Sequence, residues 1–497
     1  MATDSAPADY SGIRDEYIRS LHQTPVQIAA ALSGGGTLFI SDLLTVPGGS
    51  RTLIDAVVPY SLESLAQYIG RFPDHACSAR TARNMAMTAF FHARRILRSE
   101  ILRKCGQIDT DRISPQKTDV SHDFEDLTES VILRANNFTE PADVDELDAY
   151  HHVIGIGCTA SLATDRPKQG ELRVHAAVQT LRRTIQFSLH LQKDARSRWE
   201  EERLAADLIL NAVETARLET LKSVQHSHAA DLFPNTGQSD EDAFCPVFSD
   251  SSSLNFPLQE IIPLRLKPGE FVQGRQTVGT APLVDLFFGK LEAVLWMNNG
   301  ILHFVPRKGA AYAAPPFNPY AEFTQSVFPG SFNPIHKGHL EMIGFAEQRL
   351  QGKVSLEISV QNVDKPPLDY IELQHRLELI GREKPKQPVW LTQTPLFVNK
   401  SELFQGAAFV VGADTLKRFA DLRFYHRNTH ELHDVLRTIA FHNCRFLVFA
   451  RKGKTGLESL ETLEIPDMLR SICDEVPPSV FTMDISSGDI RKNDPDY

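Results

Sequence analysis

The segment over residues 329–340 concentrates side chains that can bind phosphate. It reads Pro-Gly-Ser-Phe-Asn-Pro-Ile-His-Lys-Gly-His-Leu, with a short apolar run before it and a helical pattern after it. The segment is therefore predicted to join the end of a strand to the start of a helix. Free N–H groups and the positive end of that helix would point at one spot, which suits a phosphate group.

Two histidines in this segment, His336 and His339, are three residues apart and fall on one side of the first helical turn. Gly338 lies between them and keeps side-chain bulk away from a ligand. The imidazoles can donate hydrogen bonds to phosphate oxygens, and Lys337 can add positive charge. For this pair alone, an ordinary helix or part of a zinc site are the alternatives, although no third zinc ligand lies nearby.

Two later segments have the same strand-to-helix character. Residues 411–415 read Val-Gly-Ala-Asp-Thr, and residues 485–491 read Ile-Ser-Ser-Gly-Asp-Ile-Arg. Ser486 and Ser487 can cap a helix and offer hydroxyls and amides to phosphate, with Arg491 about one turn further on. Taken alone, the last segment also fits an ordinary capped helix.

In this order, the three segments resemble the HxGH nucleotidylyltransferase superfamily, and within it the nicotinamide or nicotinate mononucleotide adenylyltransferases. Residues 411–415 correspond to the family's GxD segment. Residues 485–491 are similar to its ISSTxIR signature, with Gly488 where threonine is usual. The resemblance covers about residues 325–497.

The resemblance implies an in-line displacement without a covalent enzyme intermediate. The acceptor phosphate would attack the α-phosphorus of ATP and release pyrophosphate, while the protein positions the reactants and stabilises charge. ATP would be a co-substrate accompanied by Mg²⁺, and no metal site of the protein itself is expected. The implied catalytic residues are His336, His339 and Arg491. The implied nucleotide-binding residues are Gly330, Ser331, Phe332, Lys337, Gly412, Asp414, Ser486 and Ser487.

The acceptor is less well defined by the sequence. Lys365 follows a predicted strand and fits either an acceptor or ATP ligand, or a solvated loop lysine. Arg376, in the next helix, fits a phosphate ligand or a surface salt-bridge partner. The family's tryptophan after the GxD helix is absent, and Phe424 and Tyr425 occupy that area, which puts pyridine-ring recognition in question.

Three functions stay open on these grounds. The first is adenylyl transfer to nicotinamide or nicotinate mononucleotide. The second is adenylyl or cytidylyl transfer to another small phosphorylated acceptor. The third is a regulatory protein that binds nucleotides in both halves and turns nothing over. The presence of His336, His339, Ser487 and Arg491 favours the two enzymes.

The amino-terminal half carries glycine- and proline-rich segments at residues 34–36, 47–50, 57–61 and 167–170. Through them, residues 20–220 resemble the carboxyl-terminal domain of CinA, the nicotinamide-nucleotide amidase fold. Leu32 stands where that family has its nucleophilic serine, and Leu65 where it has a lysine. Because leucine cannot attack a carbonyl or accept a proton, this half is predicted to be a non-catalytic ligand-binding or dimerising module.

One cysteine in this half, Cys158, has two interpretations. It fits a buried core cysteine better than a nucleophile.

The fold class predicted from these patterns is α/β. Alternating strands and helices from residue 321 predict a Rossmann-like parallel sheet, with ligands at the carboxyl ends of its strands. A separate α/β domain precedes it. The predicted boundaries are a tail (1–12), the CinA-like domain (13–223), a linker (224–256), a small insert or connecting subdomain (257–320) and the nucleotidylyltransferase domain (321–497).

Local patterns also predict a helix over residues 13–32, a long helix capped by Ser78, and a strand over residues 480–485.

Bulk properties of the 497 residues limit the partners. The net charge of −11 argues against nucleic-acid binding, which needs a basic surface. The six cysteines are far apart and form no CxxC, so neither a zinc site nor a disulfide framework is expected, and a reducing compartment fits best. The sequence has no secretory signal and no apolar stretch long enough to span a membrane, which favours the cytoplasm. A homo-oligomer through the N-terminal domain stays open.

Overall fold

Two large sheets, one in each half of the chain, organise the computed structural model, and the α/β class is confirmed. Among the described helices, none combines the length and apolar character needed to cross a membrane. The structure describes residues 10–104, 150–166, 169–224, 245–249, 253–297, 300–307, 321–361, 367–425, 428–453, 456–481 and 490.

The first sheet has the strand order β2-β1-β3-β4-β5-β7 in the described part of the chain. Strands β1, β2 and β3 are parallel, and the remaining pairs are antiparallel. The elements of this region are α1 (Ser11–Leu21), β1 (Gln27–Ser33), α2 (Leu38–Thr45), α3 (Gly49–Thr52), β2 (Leu53–Val57), α4 (Leu62–Ile69), α5 (Ala79–Lys104), β3 (Val153–Ser161), β4 (Leu172–Gln179), β5 (Arg183–Leu191) and α6 (Arg198–Val224).

Helix α5 lies very close to strand β3. A Cβ atom built on Gly157 would lie 2.0 Å from the carbonyl oxygen of Ala82, and one on Gly155 would lie 2.3 Å from that of Ala86. Only glycine allows this approach. The predicted cap is confirmed, since the Ser78 hydroxyl accepts a hydrogen bond from the Thr81 N–H at 3.1 Å.

The predicted helix over residues 13–32 is wrong in its second half. Helix α1 ends at Leu21, and Gln27–Ser33 forms the central strand β1. Pro25 interrupts the helical pattern, because proline has no N–H to donate. The apolar run that follows is buried between β2 and β3, where a continuous apolar stretch is typical of a parallel strand.

The segment between the halves contributes to both sheets. It contains β6 (Cys245–Pro246), β7 (Phe271–Val278), α7 (Ala281–Phe287), β8 (Leu291–Met297) and β9 (Gly300–Pro306). Strand β7 pairs with β5 of the first sheet, whereas β8, β9 and β6 extend the second sheet. The segment predicted as an insert or connecting subdomain therefore joins the first region (residues 10–224) to the second region (residues 321–490) through its strands.

The second sheet has the order β17-β14-β13-β10-β11-β12-β8-β9-β6 among the described residues. Strands β10 to β14 and β17 are parallel, and the chain moves outward from β10 first on one side and then on the other. The elements are β10 (Ser326–Pro329), α8 (Lys337–Leu350), β11 (Ser355–Ser359), α9 (Tyr370–Glu383), β12 (Val389–Thr392), α10 (Phe397–Leu403), β13 (Ala408–Gly412), α11 (Ala413–Phe419), α12 (Thr429–Phe441), β14 (Arg445–Phe449), β15 (Arg451–Gly453), β16 (Gly456–Glu458), α13 (Asp467–Arg470) and β17 (Cys473–Val476).

The predicted strand over residues 480–485 is wrong where the structure describes it. Val480 lies in a turn, and the edge strand of the sheet is β17, which ends at Val476. Residues 482–489 lie outside the described residues.

The two regions share one core. Phe90 and Phe91 of α5 lie against Phe288, with ring centroids 6.1 Å apart in both pairs. The Tyr370 hydroxyl, at the start of α9, donates to the Leu181 carbonyl at 2.7 Å. Apolar contacts therefore join α5 to the connecting segment, and a hydrogen bond holds α9 of the second region against the first.

Candidate functional site

The loop between β10 and α8 has a tightly defined shape. The Gly330 N–H donates to the Glu357 carbonyl at 2.9 Å, and the buried Phe332 has a φ of 43°. A Cβ on Gly330 would lie 2.7 Å from the Phe332 ring, so a larger residue there would displace the ring. The Asn333–Pro334 peptide bond is cis. Arg376 donates a hydrogen bond to the Ser331 carbonyl at 2.9 Å and so holds the loop in place.

The two histidines lie together at the start of α8, as predicted. His336 is the N-cap residue, and its ring stacks on that of His339 with centroids 3.7 Å apart. The His336 N–H donates to Nδ1 of His339 at 3.3 Å. Because Nδ1 of His339 accepts this bond, the neutral ring carries its proton on Nε2, which is a donor for a ligand oxygen.

Both histidines are held neutral near pH 7. Burial, together with the nearby charges of His336 and Arg451, lowers the pKa of His339 to about 3. Burial and Arg451 also lower the pKa of His336. Nδ1 of His336 is buried, and no hydrogen-bond partner for it occurs among the described residues. The pair can therefore offer hydrogen bonds to phosphate oxygens without carrying fixed positive charge.

A cavity of about 480 Å³ lies at the carboxyl ends of the parallel strands. Because the chain reverses its direction of strand addition at β10, this is where an open α/β sheet binds its ligands. The histidines themselves lie beside the cavity, next to the loop that forms part of its wall. Residues from both regions line the cavity, including Arg71, Arg80, Asn84, Gly330, Ser331, Asn333, Glu357, Glu372, Arg376, Phe397, Lys400, Asp414, Arg418, Phe419, Phe424 and Tyr425.

A buried ion pair forms the floor of the cavity. Nζ of Lys400 lies 2.7 Å from Oε1 of Glu357 and also donates to the Thr394 carbonyl at 2.6 Å. Burial lowers the pKa of Lys400, and Glu357 opposes that shift. Sequence reasoning missed both residues, although Glu357 is a charged residue inside an apolar strand.

Asp414 links the cavity to the histidines. It lies in the first turn of α11, after Gly412 as N-cap residue, and forms an ion pair with Arg451. Arg451 acts electrostatically on His336 and His339. Sequence reasoning missed Arg451. Its position just after β14, at the carboxyl edge of the sheet, is a signal from which it could have been predicted as a site residue.

Arg376 forms a salt bridge, as one of its two interpretations predicted, but it is buried and not at the surface. It lies 2.8 Å from Glu372, which also receives hydrogen bonds from Arg80, Arg83 and Asn333. Burial alone would raise the pKa of Glu372, but the three arginines hold it well below its ordinary value. Arg376 lines the cavity, and its role as a phosphate ligand stays a prediction.

The remaining predicted residues are less central or lie outside the described residues. Lys337 is exposed and lies 3.6 Å from Glu341, away from the cavity lining. Phe332 is buried against His339, with ring centroids 5.1 Å apart, and supports that histidine. Lys365, Ser486, Ser487 and Arg491 lie outside the described residues. In the parts of the chain that are described, no cluster of three His, Cys, Asp or Glu side chains could hold a metal ion.

The glycine loop of the first region is occupied by the protein itself. Glu202 accepts hydrogen bonds from the Gly36 N–H at 2.9 Å and from the Thr37 hydroxyl at 2.7 Å. Leu32 is fully buried in β1. Cys158 is also fully buried, and burial raises the pKa of its thiol, which confirms its interpretation as a core cysteine.

Comparison with known proteins identifies the second region. Residues 327–493, about a third of the chain, match the family described as cytidylyltransferase-like. This segment is similar to that family, and we refer to it as the cytidylyltransferase-like domain. The nucleotidyltransferase resemblance of the C-terminal motifs is thereby confirmed.

Among solved structures, the chain is similar to the competence/damage inducible protein CihA from Agrobacterium tumefaciens. The identity is 14%, the alignment covers 45% of this chain and 99% of that one, and the TM-score is 0.25. None of the curated proteins compared with the chain matches it.

Proposed function

We propose that the cytidylyltransferase-like domain transfers the adenylyl group of Mg²⁺-ATP to nicotinamide or nicotinate mononucleotide and releases pyrophosphate. The phosphate oxygen of the acceptor forms a new bond to the α-phosphorus of ATP. The bond from that phosphorus to the bridging oxygen breaks, and the pyrophosphate keeps the electron pair. Mg²⁺ enters with ATP and offsets the charge of its phosphates.

The neutral histidine pair at the start of α8 carries this proposal. The Nε2–H of His339 and the positive end of the helix favour a spot where negative charge can accumulate. Charge moves toward the pyrophosphate oxygens during displacement, so donors fixed there bind the transition state more strongly than the ground state. The adjoining loop at Gly330 and Ser331 lines the cavity that would hold the nucleotide.

An aromatic wall supports a planar ring in the acceptor. Phe397, Phe419, Phe424 and Tyr425 line the same cavity. The Arg418 guanidinium lies over the Phe424 ring, 5.6 Å from its centroid. The aromatic pair that stands in the area of the family's tryptophan thus faces the site, where a pyridine ring can stack on it.

The test is pyrophosphate release by the purified full chain with Mg²⁺-ATP and nicotinamide mononucleotide, nicotinate mononucleotide or no acceptor. We expect release that depends on a pyridine mononucleotide. His336→Ala should lower kcat by about 10²- to 10³-fold, the usual cost of one such donor. His433→Ala, which removes an exposed histidine outside the cavity lining, should leave kcat within about twofold.

Two other results would redirect the assignment. Release with CTP, or only with another phosphorylated acceptor, would support a transferase of different specificity. ATP binding without release under any of these conditions would contradict the proposal and favour a regulatory nucleotide-binding protein.

A further inference from the structure

One wall of the cavity comes from the first region of the chain. Arg71, after α4, and Arg80 and Asn84, in the first turns of α5, are lining residues. The rest of α5 packs on β3 of the first sheet. The cytidylyltransferase-like domain therefore does not enclose the cavity alone.

This wall is rich in positive charge. Arg80 lies 3.3 Å from Asp74 and 3.2 Å from Glu372, and Arg71 lies 3.3 Å from Asp74. Among the residues that the structure describes, four arginines share three carboxylates in this cluster. The members are Arg71, Arg80, Arg83, Arg376, Asp74, Asp369 and Glu372.

Arg80 keeps donors available for a ligand. A guanidinium has five N–H groups in a fixed fork. Arg80 donates once from Nη1 to Asp74 and once from Nη2 to Glu372. Its remaining N–H groups can meet a phosphate or carboxylate at the edge of the cavity.

We propose that Arg80, assisted by Arg71, binds an anionic group of the acceptor, so that the first region supplies the acceptor side of the active site. The proposal rests on the proposed nucleotidyl transfer. The histidines and the β10–α8 loop then hold the triphosphate, and the arginine wall holds the acceptor. A first region that is predicted to be non-catalytic thus gains a role in the reaction.

Arg83 provides the matched control. It lies one turn after Arg80 on α5 and makes the same kind of contact between the regions, 3.1 Å from Asp369 and 3.4 Å from Glu372. It is not among the residues that line the cavity. A loss of contact between the regions should therefore affect variants of both arginines, whereas a loss of acceptor binding should affect only Arg80.

The experiment compares Arg80→Met and Arg83→Met in the full chain. We expect Arg80→Met to raise the KM for the acceptor about 10- to 100-fold, the usual cost of a charge-assisted hydrogen bond. The KM for ATP should change less than about threefold, and Arg80→Lys should recover part of the loss. Equal increases of the acceptor KM in both variants, or an increase confined to the KM for ATP, would overturn the proposal.

Direct binding separates this proposal from the proposed function. Calorimetric titrations use nicotinate mononucleotide, nicotinamide mononucleotide and nicotinamide riboside, without ATP. A loss for both mononucleotides but not the riboside assigns Arg80 to the phosphate, and a loss confined to the nicotinate form assigns it to the carboxylate. The wild type could bind the mononucleotides and yet release no pyrophosphate. Weaker binding of the mononucleotides to Arg80→Met would then uphold this proposal, although the proposed function would fail. No binding to the wild type, or equal loss with the riboside, would overturn it.

Discussion

Two junctions in the described part of the chain, each with a parallel strand, a loop that contains glycine and a helix in succession, are filled in opposite ways. Between β1 and α2, Glu202 from the distant helix α6 accepts hydrogen bonds from the loop. Between β10 and α8, two neutral histidines stand at the helix start beside a cavity. The positive end of a helix favours an anion in either case. The difference shows that a carboxylate of the protein can take the place that a ligand would otherwise fill.

The largest expected effect is on catalysis, which should depend on the second junction and not on the first. His339→Ala removes the Nε2–H donor and the acceptor for the His336 N–H, so kcat for pyrophosphate release should fall at least about 10²- to 10³-fold. Ser33→Ala, at the first junction, should change kcat less than about twofold. Steady-state rates with circular dichroism as a folding check measure both. Similar losses in the two variants would break the comparison.

The next largest effect is on the stability of the protein, and it concerns the first junction. Glu202→Ala leaves the Gly36 and Leu38 N–H groups and the Thr37 hydroxyl without their shared acceptor. We expect a loss of about 2–3 kcal/mol in the free energy of unfolding, because charged acceptors of this kind contribute about that much. Urea denaturation measures the loss, and kcat should stay within about twofold. Glu200→Ala, on the same helix, removes an exposed carboxylate that accepts hydrogen bonds from Ser197, and it should cost less.

The smallest expected effect is the loss of folding stability at acid pH. Burial lowers the pKa of His339 in the folded protein to about 3, against about 6.5 in the unfolded chain. As the pH falls, the unfolded chain binds protons first, so stability is lost progressively between about pH 6.5 and pH 3. From pH 7 to pH 5 this amounts to about 2 kcal/mol for one such histidine.

His175 in β4 offers the same measurement in the first region. Burial lowers its pKa to about 3 as well. Urea denaturation of His339→Gln and His175→Gln at both pH values should show about 2 kcal/mol less pH dependence in each variant than in the wild type. An unchanged pH dependence in His339→Gln would mean that the pKa of this histidine in the folded protein is close to its value in the unfolded chain.

The sequence predicted the second junction well because its signals are local. Glycine, proline and the histidine spacing all lie within residues 329–340, and they fix a turn and a helix start without distant contacts. The parallel sheet followed from the alternation of strands and helices. The motif at residues 485–491 lies outside the described residues, and its roles stay predictions.

Other features left no local pattern. The apolar run at residues 28–32 fits a buried strand or a buried helix equally well, and only its neighbours β2 and β3 decide. Lys400 meets Glu357 across 43 positions, and Arg80 meets Glu372 across 292. Pairs so distant in sequence are brought together by the fold alone, so the cavity floor and the arginine wall could not be predicted.

The strands that connect the halves have a consequence for dissecting the molecule. A fragment that begins at residue 321 would lack β8, which pairs with β12, and would expose the unpaired edge of a sheet. A fragment that ends at residue 223 would lack β7 and expose β5 in the same way. Exposed edges of this kind promote aggregation. The two halves therefore cannot be separated cleanly at residue 223 or residue 321. A viable cut point must lie between β7 and β8, so that each strand stays with the sheet to which it pairs.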